Sequence, residues 1–130
     1  MRSTLRILTM ALLVIPAAGQ AGDQEPQSAD AVRAALVGNT DCGRNAEGLD
    51  TCIYFSTDGS MSGRAGTYTS KGRYEIKDDG SICMNWENRH WKSYCTRRYP
   101  DASGEILAID NGGQVQFRVK ENLAGNPKGL

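Results

Sequence analysis

The side chains best equipped for chemistry in this chain are gathered in one short stretch: Arg89, His90, Trp91 and Lys92, followed by Arg97, Arg98 and Tyr99. Cations interleaved with aromatics suit a binding surface, because an exposed indole beside a guanidinium supplies apolar area and directed charge together. Catalysis is harder to assemble from what is present. His90 is the single histidine, and without a second imidazole or a free thiol there is no nucleophile–base pair to build. Asp58, Asp78, Asp79 and Asp110 all stand in turn sequences, where a short carboxylate bonds nearby backbone N–H groups. Asp50, Glu75, Glu87 and Glu105 remain as material for a carboxylate-dependent hydrolase. Nothing in their spacing singles out a pair. Neither a phosphate-cradling glycine loop nor a dinucleotide fingerprint occurs. The expectation is a protein without catalytic residues or cofactor.

The four cysteines carry a different chemistry. Cys42 and Cys52, and Cys83 and Cys95, are separated by intervals that close short local loops. In a short exported chain such a set reads as two disulfides, and of the three possible pairings the local one, Cys42–Cys52 with Cys83–Cys95, is favoured. Each would contribute roughly 2–3 kcal/mol, mostly by restricting the unfolded chain. Zinc would want close pairs such as C-x-x-C, which are missing, so no metal is expected. Export itself is written at the start of the chain. Arg2 and Arg6 precede an apolar run from Ile7 to Ile15, and Pro16 and the small residues Ala17, Ala18 and Gly19 follow it. That is the layout of a secretory signal peptide over residues 1–21, and the run is shorter than the ~20 residues a membrane anchor needs. The expected location is periplasmic or secreted. Taking residues 1–21 from a chain with 15 basic and 15 acidic side chains removes two arginines and no acid, leaving a net charge near −2. Such a balance gives no reason to expect nucleic acid or an anionic membrane as the main partner.

These residues need a scaffold, and the rest of the chain spells one. Residues 22–27 are polar and read as a flexible leader. From Ser28 to Gly38 a short helix is expected, with Ser28 or Asp30 as its cap, Gly38 past its end, and Ala31, Ala34, Ala35 and Leu36 as its apolar stripe. Asn39 to Asp50 is rich in Gly, Asn and Asp and reads as loop. Strands are expected over Thr51–Thr57, more weakly over Ser60–Ala65, and then in a meander from Gly72 to Arg97. Gly66 to Lys71 reads as a connecting loop, and Lys120 to Leu130 as an irregular tail. A further hairpin flanks Asp110–Gly113.

The meander has a register that two arguments reach separately. A hairpin centred on Asp79 pairs Ile76 with Ile82, Tyr74 with Met84 and Gly72 with Trp86, which puts every large apolar residue on one face. A second turn centred on Arg89 places Cys83 opposite Cys95, Met84 opposite Tyr94 and Trp86 opposite Lys92. Tyr74, Met84, Trp86 and Tyr94 then point inward as candidate ligand-binding residues, and Trp91 falls on the opposite face. Arg89, Trp91, Lys92 and Arg97 become a candidate binding surface. About seven short strands with one N-terminal helix argue an all-β antiparallel meander, closed or nearly closed into a small barrel, as a single domain over residues 28–130.

Gly38-Asn39-Thr40, the Asp58-Gly59 turn, Gly72-x-Tyr74-x-Ile76, and Asp79-Gly80 leading through Ile82-Cys83 to Trp86 stand together with Cys95 and Gly125-Asn126-Pro127. In combination they resemble a family of small secreted proteobacterial proteins with a lipocalin-like, disulfide-bearing β-meander. The resemblance implies a fold and brings no activity with it. The function expected is that of an exported, monomeric binding protein: it holds a small apolar or amphipathic ligand, or presents a surface to an envelope protein. The alternative is a protein inhibitor or envelope-stress factor resembling the periplasmic lysozyme inhibitors, with a carboxylate hydrolase the most remote reading.

Overall fold

The computed structural model describes residues 25–130. The expected signal peptide, and the leader as far as residue 24, lie outside the described residues. The chain forms one helix, α1 (Ala29–Leu36), and eight strands: β1 (Asn39–Asn45), β2 (Asp50–Phe55), β3 (Ser60–Ala65), β4 (Tyr68–Ile76), β5 (Ile82–Trp86), β6 (Tyr94–Pro100), β7 (Ile106–Asp110) and β8 (Val115–Ala124). Each strand pairs antiparallel with the next, and β8 returns to pair with β1, so the sheet closes as a barrel. The architecture is the all-β meander the sequence implies, with one strand more.

The extra strand is β1, over residues expected to be loop. Asn, Asp and Gly disfavour strands only weakly, and here both neighbours compel one. Cys42 lies directly opposite Cys52 on one side and β8 completes the ladder on the other. The same pull extends β4 back to Tyr68 and β8 on to Ala124, into stretches that read as loop and tail.

The meander register is observed as derived: Ile76 opposite Ile82, Tyr74 opposite Met84, Gly72 opposite Trp86, then Cys83 opposite Cys95 and Met84 opposite Tyr94. The disulfides join Cys42 to Cys52 and Cys83 to Cys95. Disulfides persist in oxidising compartments, which places the chain outside a reducing cytosol. Among the described residues no helix is long and apolar enough to cross a membrane.

In this up-and-down barrel the turns alternate between two ends. The helix closes one of them. Ser28 caps it, its hydroxyl accepting from the Ala31 N–H at 3.2 Å. The buried stripe is Val32 and Leu36 rather than the alanines, and Ala31 and Ala34 face solvent. Val32 and Leu36 seat among Ile53, Phe55, Met61, Ile82 and Met84, which is what an eight-residue helix too short to persist alone requires. The end of the expected leader is also tied down. Gln27 donates its backbone N–H to the Arg98 carbonyl at 2.8 Å, and Gly80, at φ +85°, leaves room for the Gln27 carbonyl beside it.

Candidate functional site

The other end of the barrel carries the chemistry-bearing stretch. Its turns join β1 to β2, β3 to β4, β5 to β6 and β7 to β8. The β5–β6 connection is longer than the tight turn expected. The ladder stops at Met84 opposite Tyr94, and the Trp86 N–H is met by the Ser93 hydroxyl at 3.1 Å. Lys92 is therefore not paired with Trp86. The loop over residues 87–93 is pinned to the start of β4 instead, by Glu87 N–H to the Lys71 carbonyl (2.8 Å) and Asn88 N–H to the Ser70 hydroxyl (3.3 Å). Asn88 then organises the turn, its side-chain oxygen accepting from His90 N–H and its carbonyl from Trp91 N–H, both at 3.0 Å.

This geometry corrects the expected position of Trp91. The indole does not stand on the face opposite Trp86. It folds back over it, with ring centroids 4.6 Å apart and planes tilted by 60°. Space for the pair comes from Gly63 on β3. A Cβ there would lie 2.7 Å from Trp86 and 2.8 Å from Trp91, far inside contact distance. Both indoles are half-buried, and together they cover this end of the interior.

The four residues expected to face inward do so, and they belong to the packed core. Met84 is buried in the central cluster, with Tyr74, Trp86 and Tyr94 packed against it. Tyr74 stands edge-on to Phe55 at 5.1 Å and donates its hydroxyl to the Ser56 carbonyl at 2.7 Å. Burial raises the pKa of both Tyr74 and Tyr94, since it penalises the phenolate.

The expected surface set is divided. Arg89, His90 and Lys92 are exposed around Trp91. Arg97 is at the helix end, where it donates to Asp79 at 2.9 Å. Five residues of β5, ~16 Å of strand, separate that turn from the 87–93 loop. Arg98 points inward, 4% exposed, with its Nη2 2.7 Å from Oδ2 of the fully buried Asp41. Asp41 Oδ1 accepts from Asn122, whose amide also donates to the helix at the Ala35 carbonyl (2.9 Å). Asp41 Oδ2 and Arg98 Nε have no aligned hydrogen-bond partner, so charge rather than a directed bond holds that contact.

One member of the rim escapes a sequence reading. Tyr68 opens β4 beside the 87–93 loop and is 65% exposed, the most exposed large apolar side chain among the described residues. Its signal is an aromatic set among Gly, Thr and Ser in a stretch that otherwise reads as turn. The leftover carboxylates are dispersed. Asp50 pairs with Arg44 (3.5 Å) and Glu105 with Arg118 (3.2 Å), while Glu75 lies opposite Cys83 and Glu87 opens the long loop. Among the described residues no three His, Cys, Asp or Glu side chains group so as to hold a metal ion. A comparison with protein-family models finds no matching family, and one with curated proteins finds no matching relative.

Proposed function

We propose that the protein is an exported binding barrel, working in the periplasm or outside the cell, that presents its 87–93 rim to an acidic surface of an envelope protein. One observation carries this reading. At the helix end three arginines have carboxylate partners, Arg97 with Asp79, Arg118 with Asp101 and Glu105, and Arg33 with Asp30 and Asp78, while Arg73 donates to the Asp58 carbonyl. At the rim Arg89 and Lys92 make no ion pair among the described residues; they bracket the half-buried Trp91 in the loop, and the exposed Tyr68 opens the neighbouring strand β4. Unpaired cations around aromatic anchors are what an interface uses for steering and for affinity. A protein inhibitor or envelope-stress factor is one form such a protein takes. Enclosure of a small ligand fits less well, because the helix and the Trp86–Trp91 pair occupy the two ends.

The test places a photo-crosslinking residue at position 68 or 92, with position 75 on the outer wall as control, in cells that export the protein. A single adduct formed from 68 and 92, absent from 75 and lost in Arg89→Ala, is the expected result. Adducts independent of position, or a small molecule retained through native mass spectrometry in place of a protein partner, would overturn the proposal.

A further inference from the structure

A second feature lies on the outer wall, where β8 closes against β1. The ladder slips there: Cys42 faces Glu121, Gly43 faces Val119, and Lys120 has no partner. This is a β-bulge, which breaks alternation and re-aims side chains. Val119 packs in the core and Asn122 reaches Asp41, so Lys120 and Glu121 fall on the outer face one after the other. Gly43 permits the close approach, since any side chain at that position would run into the Arg118 carbonyl.

The bulge borders a groove of about 540 Å³ whose wall includes the Cys42–Cys52 bridge. Arg44, Arg64, Lys120 and Lys128 line it against the carboxylates of Asp50 and Glu121, an excess of two positive charges in a chain whose basic and acidic residues are equal in number. Arg44 is engaged by Asp50 at 3.5 Å. Arg64, Lys120 and Lys128 make no ion pair among the described residues, although they come from β3, β8 and the segment after β8. With Arg44 matched by Asp50, Arg64, Lys120 and Lys128 come together from separate segments with Glu121 as the one remaining carboxylate of the lining, and a groove wall concentrates their field.

We propose that this groove binds a phosphate-bearing ligand. A phosphate monoester carries about −1.5 to −2 charges at pH 7, which matches the excess, and offers three acceptor oxygens to donors converging from separate segments. Arg64 supplies a planar fork and the lysines point charges, a combination suited to phosphate. A single carboxylate would leave half of the excess unmet.

Inorganic phosphate, titrated against the folded protein and followed through amide chemical shifts, tests the site. Saturable shifts are expected at residues 44, 64 and 120, and none around Arg97. Removing one cation in Lys120→Gln should weaken binding about fivefold and removing the carboxylate in Glu121→Gln should tighten it, an opposition of sign that a structural role would not produce. Vesicles of phosphatidylcholine with and without phosphatidic acid separate the sources. Cosedimentation with the acidic vesicles alone assigns a lipid headgroup, and phosphate shifts without cosedimentation assign a soluble ester. Shifts spread over every basic residue, or equal affinity in the wild type and Lys120→Gln, would overturn the proposal.

Discussion

The two ends of this barrel are closed by different means. At the helix end the closure is built for permanence. Val32 and Leu36 are fully buried, the Asp41–Arg98 pair and Asn122 tie strand seam to helix, and three aspartate turns at Asp58, Asp79 and Asp101 each accept the N–H two residues on. At the rim the closure is one indole resting on another, held by a loop whose hydrogen bonds run mostly through Asn88. The first end spends its charges internally. At the second Arg44 is paired with Asp50, but Arg89 and Lys92 make no ion pair among the described residues, and that is why binding is placed there.

The largest way to break this asymmetry is Asp41→Ala. It strands the Arg98 guanidinium in the interior and removes the acceptor for Asn122, and loss of one member of a buried pair costs about 3–5 kcal/mol. Chemical denaturation read by far-ultraviolet dichroism measures this, and a loss under 1 kcal/mol would mean that the pair is not what secures the helix end.

A comparison of the two plugs comes next. Leu36→Ala empties a fully buried site and should cost about 2–5 kcal/mol. Trp91→Ala removes a half-buried ring whose pairing with Trp86 is worth about 0.5–1.5 kcal/mol beyond its area. Its larger effect is on the Trp86 fluorescence, which should shift red as water reaches the indole. Equal destabilisation by both substitutions would erase the distinction between the ends.

The smallest expected effect concerns acid. Hydrogen bonds from the Ser81 backbone and side chain, and then from Arg97, lower the Asp79 pKa from 3.8 to about 2. Because the folded value lies below the unfolded one, the Asp79 contribution is complete above pH 3.8 and fades as pH falls towards 2. Asp79→Asn should flatten this segment of the stability–pH curve, and an unchanged slope between pH 4 and 2 would remove Asp79 from it.

Much of the fold was legible because its signals are local. Turn chemistry at Asp79-Gly80 set the β4–β5 register, and cysteine spacing with hydrophobic phase set β5 against β6. Strand β1 was not legible, because Asn39–Asn45 becomes a strand only when Cys52 and β8 lie on either side of it. The site was legible in composition and not in arrangement. Arg89, Trp91, Lys92 and Arg97 are near one another in sequence, but each successive strand residue advances ~3.3 Å along the barrel and reverses face. Arg97 was thereby carried to the opposite end, and Arg98 was turned inward.

Sequence alone determined the class of this protein: an antiparallel meander with two local disulfides and a small capping helix, since period, turn residues and spacing act over a few positions. Tertiary structure decided what those elements expose. Barrel closure created β1 and the Lys120 bulge, Gly63 on β3 made room for Trp91 to fold onto Trp86, and Asp41 on β1 drew Arg98 into the interior. Each depends on a partner tens of residues away, and only the closed sheet brings those partners into contact.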